Sequence, residues 1–172
     1  MMDRLDEAVD HVRGGPEGRL IVEYGDYECP YSRAAFRQIE RVETQLGERV
    51  RFAFRHFPLT DIHPHALAAS AAVEAAALQG RFWELHELMF RRQKALEDDD
   101  LRRYAADLGL DLERFDADMA QHAYAERVRE DFMGGVRSGV NGTPTFYVNG
   151  ARHDDAYDVE TLVGALERAP SS

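Results

Sequence analysis

The chain contains a single cysteine, Cys29, which directly precedes Pro30 at the junction of two predicted elements. An apolar run before it predicts a strand over Arg19–Tyr24. After it, apolar residues at helical spacing predict a helix over Pro30–Leu46, which Gly47 ends. Any fold of this chain therefore places its lone thiol where a strand passes into a helix.

Pro30 predicts that Cys29 caps this helix, because proline is well tolerated in the first helical turn. The unpaired amides and the dipole of a helix N-terminus favour an anion, so we expect Cys29 to react as a thiolate. Ser32 lies in the first turn, where its hydroxyl can donate to the thiolate or bind an amide. The alternative is a buried structural cysteine, but the polar and loop residues around the sulfur favour the reactive one.

The size and charge of the chain bound its function. Its 172 residues are enough for one domain, 1–172, with a sizeable core. The net charge of -11 argues against a nucleic-acid partner, since phosphate binding needs a basic surface. No apolar run is long enough to span a bilayer, and the N-terminus lacks the apolar core of a secretory signal. We therefore expect a cytoplasmic protein, with reduced thiols and no membrane partner.

The rest of the pattern predicts strands at both ends of a long helical run. The predicted strands are Val50–Phe57, Thr145–Val148 and Ala151–His153, the last two joined by an Asn149–Gly150 hairpin turn. Residues 1–18 are predicted to form a short helix or arm, and Asp158 is predicted to cap a final helix. The order predicts two α/β halves, about 19–60 and 140–168, separated by a helical insertion over about 62–139.

Glu23 interrupts the apolar character of the first strand. It is either a solvent-facing residue near the strand end or a buried acid beneath the thiol, where it would tune the sulfur or move a proton. A buried carboxylate needs a partner or a proton. Arg55 and His56 are candidate partners for it, unless they are ordinary edge residues.

Several histidines lie in the helical run, and they could be considered as metal ligands. Their spacing matches no strong zinc signature, so we expect helix-surface or cap roles and no metal site. These residues are His63, His65, His86 and His122.

Five short segments together resemble the DsbA-like branch of the thioredoxin superfamily. The resemblance covers about His11 to Leu166 and implies a thioredoxin fold, of the α/β class, with an inserted α-helical subdomain. The segments are residues 23–31 (EYGDYECPY), 55–59 (RHFPL), 63–66 (HPHA), 80–83 (GRFW) and 140–146 (VNGTPTF).

The resemblance also implies roles for individual residues. Pro144 would follow a cis peptide bond and lie against Cys29, and the backbone of Thr143 would pair with an extended substrate segment. Pro30 and Tyr31 would complete this substrate-binding surface. Glu23 falls where the family often keeps a buried acid.

The chain departs from the family's Cys-x-x-Cys motif, because Ser32 replaces the second cysteine. Ser32 cannot form or resolve a disulfide, so oxidation of Cys29 must involve an external thiol. We therefore expect monothiol exchange with protein or peptide thiols and disulfides, with glutathione as a co-substrate and no other cofactor. Two alternatives stay open: a redox-inactive peptide-binding or chaperone-like module, and a glutathione-dependent transferase or isomerase.

Overall fold

The computed structural model describes residues 1–168; the last four residues of the predicted domain 1–172 lie outside this range. Within residues 1–168, five strands and seven α-helices follow one another in the order β1-β2-α1-β3-α2-α3-α4-α5-α6-β4-β5-α7. The strands are β1 (His11–Gly14), β2 (Arg19–Gly25), β3 (Val50–His56), β4 (Thr145–Val148) and β5 (Ala151–His153). The helices are α1 (Pro30–Leu46), α2 (Ala66–Ala77), α3 (Phe82–Arg91), α4 (Asp98–Asp107), α5 (Leu112–Ala120), α6 (Ala125–Ser138) and α7 (Val159–Arg168).

The strands form one sheet in the order β1-β3-β2-β4-β5. Strands β2 and β3 are parallel and joined through α1, whereas the other three pairings are antiparallel. Helices α2 to α6 form the insertion between β3 and β4, which we call the helical block. The α/β class and the thioredoxin fold with an inserted helical subdomain are confirmed.

The prediction for residues 1–18 was incomplete, because His11–Gly14 forms the edge strand β1. This strand is too short to show a clear alternation of apolar residues. It is fixed by pairing with β3, in which His11 lies opposite Phe54 and Gly14 opposite Arg51. A contact this distant in sequence leaves no local signal.

The two faces of the sheet carry different apolar clusters, as alternation along a central strand requires. Ile21 of β2 packs in the larger cluster with α1, α7 and most of the helical block. Val22 and Tyr24 pack in a smaller cluster with Met2 and, from α6, Phe132. Within residues 1–168, no helix is both long and apolar enough to cross a membrane.

Candidate functional site

Cys29 is the N-cap of α1, as the sequence predicts. Its backbone is extended, with φ -73° and ψ 122°, and Pro30 opens the helix. Three hydrogen bonds fix the preceding loop. The Cys29 amide donates to the Asp26 carbonyl at 3.1 Å, and the side chain of Gln93 donates to the carbonyls of Tyr27 and Cys29, both at 2.8 Å. The position of the sulfur is therefore set by both the sheet and the helical block.

The segment before β4 brings Thr143 and Pro144 against the sulfur. The Thr143–Pro144 peptide bond is cis, and Sγ of Cys29 donates to the Thr143 carbonyl at 3.6 Å. Pairing of Thr145 with Tyr24 of β2 anchors this segment to the sheet. Cys29 is only 3% exposed, so it is buried, but its sulfur contacts a backbone carbonyl at the end of the sheet.

Ser32 is fully buried, and its hydroxyl oxygen accepts a hydrogen bond from the Asp26 amide at 3.2 Å. Of the two roles expected for this hydroxyl, the structure shows the contact with an amide, which belongs to Asp26 in the loop before the helix. Among residues 1–168, no hydrogen bond links Ser32 to Cys29. Its participation in thiolate chemistry stays a prediction.

Asp26 is a buried acid that organises the loop around Cys29. Oδ1 accepts from the Glu28 amide at 2.8 Å, whereas Oδ2 accepts from the Leu59 amide at 2.9 Å and pairs with Nδ1 of His63 at 2.7 Å. The carboxylate therefore joins the Cys29 loop to the segment after β3. Sequence reasoning missed this role, although the proximity of Asp26 to Cys29 was a usable signal.

A second carboxylate–histidine pair lies beside the first. Glu28 accepts from the His65 amide at 2.8 Å and pairs with Nδ1 of His65 at 2.5 Å. This contact raises the pKa of His65 above its ordinary value. The helix-surface or cap role expected for His63 and His65 is therefore too general, since both bind acids of the Cys29 loop.

The two other histidines of the helical run also have polar partners. Nδ1 of His86 lies 2.8 Å from the Tyr27 hydroxyl, and burial holds the pKa of His86 well below its ordinary value. Nδ1 of His122 lies 2.6 Å from the Tyr124 hydroxyl.

Glu23 is the buried acid of the two alternatives, at 2% exposure. It follows Ile21 by two strand residues and so projects toward the face that α1 covers. Oε1 has no hydrogen-bond partner, and burial raises the pKa of Glu23 to about 8. Burial therefore favours the protonated form of this carboxyl group.

Arg55 and His56 are not edge residues, and neither pairs with Glu23. Both are buried. Arg55 binds Asp10 at 2.9 Å. The His56 amide donates to Asp131 Oδ2 at 2.9 Å, and Nε2 of its ring lies 3.5 Å from Glu74. The partners come from the N-terminal segment for Arg55 and from the helical block for His56, and sequence patterns do not reveal such distant contacts.

The predicted substrate-binding residues differ in exposure. Pro30 and Tyr31 are exposed at the start of α1, Tyr31 at 67%. Ile62, at 66%, and Leu67, at 44%, are exposed on the segment that the two carboxylate–histidine pairs join to the Cys29 loop. Both of these joined segments therefore expose apolar side chains.

A thioredoxin fold with a helical insertion and a capping cysteine opposite a cis-proline defines a class of thiol–disulfide proteins. The chain belongs to the DSBA-like thioredoxin domain family, which matches residues 20–167. It is similar to a thioredoxin-like oxidoreductase from Silicibacter pomeroyi DSS-3, with a TM-score of 0.84 and 27% identity over 94% of this chain and 92% of that one. BdbD from Bacillus subtilis shares the fold, with a TM-score of 0.85 and 20% identity over 97% and 96% of the two chains.

Curated relatives are considerably longer than this chain. It is 45% identical over 170 residues to Na(+)/H(+) antiporter NhaA 1 of Salinispora arenicola, covering 98% of this chain and 26% of the relative. The corresponding protein of Herminiimonas arsenicoxydans is 43% identical over 164 residues, covering 95% and 26%. The chain thus spans about a quarter of the length of the curated relatives it matches.

Proposed function

We propose that this chain performs monothiol thiol–disulfide exchange with Cys29 as the nucleophile. The observation that carries the proposal is the position of Cys29 at the N-cap of α1, with Sγ against the Thr143 carbonyl. A helix N-terminus stabilises a thiolate, and the thiolate is the reactive form in exchange.

The first step is attack of the Cys29 thiolate on the disulfide of oxidised glutathione. A new sulfur–sulfur bond forms to Cys29, the bond within oxidised glutathione breaks, and one glutathione leaves as its thiolate. An external thiolate then attacks the glutathione sulfur of the mixed disulfide: a new disulfide forms between that thiol and glutathione, the bond to Cys29 breaks, and Cys29 leaves as a thiolate. An external thiol is needed because the chain has one cysteine.

Protein or peptide disulfides are the second proposed substrate class. The exposed side chains of Tyr31, Ile62 and Leu67 offer apolar contacts to an extended segment beside the sulfur. The backbone of Thr143 would pair with that segment by strand addition. We propose a cytoplasmic location, where external thiols stay reduced, which fractionation of the native host would test.

Incubation of the folded chain with oxidised glutathione at neutral pH, followed by intact mass measurement, tests the proposal. We expect one glutathione adduct on the wild type and none on Cys29→Ser, with release of the adduct by reduced thiol. A folded wild-type chain that forms no adduct would contradict the proposal.

A redox-inactive binding module is the second candidate, favoured by the 3% exposure of Cys29. In that case Cys29→Ser would bind unfolded peptides as tightly as the wild type, and neither would form an adduct. Peptide binding measured by fluorescence anisotropy, combined with the mass measurement, separates the two candidates.

A further inference from the structure

Three potential metal ligands from three elements meet between the sheet and the helical block. They are His11 of β1, His56 at the end of β3 and Glu74 of α2. Nε2 of His11 lies 2.6 Å from Oε2 of Glu74, and Nε2 of His56 lies 3.5 Å from the same oxygen. One ligand atom from each of the three lies within 4.8 Å of the other two.

His56 provides independent evidence that this cluster binds a ligand. Its side chain is fully buried, and neither ring nitrogen has a hydrogen-bond partner. A buried polar group left unsatisfied costs about 1–3 kcal/mol. The nitrogen nearest an acceptor is Nε2, which points toward Glu74 at a distance too long for a good hydrogen bond.

The charges around the cluster can accommodate a cation. Asp10 and Asp131 are buried nearby and both bind Arg127, at 3.0 and 2.8 Å. Arg127 itself lies 3.9 Å from Glu74, but its two closer acids hold it away from that carboxylate. Together with Arg55, the two guanidinium groups face three carboxylates, so an excess of negative charge remains when the histidines are neutral.

We propose that His11, His56 and Glu74 bind one divalent transition-metal ion, with Zn²⁺ the best match to two imidazoles and a carboxylate. In tetrahedral Zn²⁺ sites the ligand atoms lie about 3.3 Å apart. The distances from Glu74 Oε2 to Nε2 of His11 and of His56, 2.6 and 3.5 Å, lie on either side of that value. Small side-chain shifts would therefore complete the site. A water molecule would take the fourth position.

The proposed site is separate from the thiol site. His56 pairs with Gly25 across the parallel strands, and its ring lies 6.1 Å from that of Tyr27. The ring of Tyr27 is therefore the part of the Cys29 loop that approaches His56. An ion here would tie β1 and β3 to α2.

Titration of the purified chain with Zn²⁺ by calorimetry tests the proposal. All variants carry Cys29→Ser, so that the thiol cannot bind the metal. We expect one Zn²⁺ per chain with micromolar or tighter affinity, and binding weakened at least about tenfold by His11→Ala or Glu74→Gln. His153→Ala, a histidine of the distant strand β5, is the matched control and should bind like the parent.

Circular dichroism establishes which variants fold. His11 is partly exposed, so His11→Ala remains informative if substitution of the buried Glu74 prevents folding. Co²⁺ provides a second readout, because its visible absorption reports tetrahedral nitrogen and oxygen ligation. A parent that binds no Zn²⁺ in the micromolar range, or a folded His11→Ala that binds as tightly as the parent, would overturn the proposal.

Discussion

The ionisation of Glu23 depends strongly on the fold. Its pKa rises from an unfolded value of 4.5 to about 8 because burial penalises the charged form. The folded chain therefore holds a proton that the unfolded chain releases between these two pH values. By linkage, the contribution of Glu23 to stability is complete below pH 4.5 and is lost progressively as the pH rises toward 8.

Glu23→Gln removes this titration and should stabilise the folded chain as the pH rises. We expect the gain in free energy of unfolding to be small near pH 5 and about 2–4 kcal/mol near pH 8, from the linkage relation. Urea unfolding across this range measures it. A stability difference that is independent of pH would show that Glu23 is already ionised in the fold.

Ser32 stands where the family motif carries its second cysteine. Ser32→Cys should form an intramolecular disulfide with Cys29 on treatment with oxidised glutathione. Intact mass would show the loss of two hydrogens and no retained glutathione. Loss of the hydrogen bond to the Asp26 amide should cost about 1 kcal/mol in the reduced form. Two thiols that remain open to alkylation after oxidation would contradict this expectation.

At the scale of elements, Gln93 connects the end of α3 to the start of α1. Its amide donates to two carbonyls of the Cys29 loop. Gln93→Ala should lower the free energy of unfolding by about 1–3 kcal/mol, since both carbonyls lose their donor, and should slow adduct formation at Cys29. The exposed Gln121 supplies the control, because Gln121→Ala should change neither quantity. Equal effects of the two substitutions would rule out a positioning role for Gln93.

The elements near Cys29 could be predicted closely because their signals are local. Proline and glycine mark both ends of α1, and Thr145–Val148 and Ala151–His153 have the predicted bounds. Strand β1 could not be predicted, because it depends on pairing with β3. The partners of Asp26 are Leu59 and His63, which lie 33 and 37 residues further along the chain. Such contacts are set by the packing of the helical block and leave no periodic pattern.

At the scale of the whole molecule, a buried ion-pair network holds the sheet against the helical block. Asp10 is its centre, binding Arg55 at 2.9 Å and Arg127 at 3.0 Å. Burial alone would raise the pKa of Asp10, but the hydrogen bonds and charge of Arg55 outweigh it and hold the pKa below its usual value. This contribution is present above the ordinary pKa of an aspartate and is lost as the pH falls below it.

Asp10→Asn should therefore destabilise the whole fold, because it leaves two guanidinium groups short of a buried partner. We expect a loss of about 3–5 kcal/mol in the free energy of unfolding. Asp154→Asn is the matched control, since its pair with Arg152 is exposed and should contribute less than about 1 kcal/mol. Urea unfolding at neutral pH gives both values. Similar losses for the two substitutions would show that the buried network stabilises the fold no more than the exposed pair does.

The contact between Cys29 and Thr143 depends on whether the sulfur is a thiol, a thiolate or part of a disulfide. A thiol donates a hydrogen bond to the Thr143 carbonyl, whereas a thiolate or a disulfide-bonded sulfur has no proton to donate. The carbonyl therefore becomes an open acceptor whenever the sulfur is ionised or joined to a partner. The backbone amide of a bound segment can then donate a hydrogen bond to the Thr143 carbonyl in place of the thiol. Under the proposed function, this carbonyl would couple peptide docking to the chemistry of the sulfur, so the affinity for a peptide should depend on the oxidation state of Cys29.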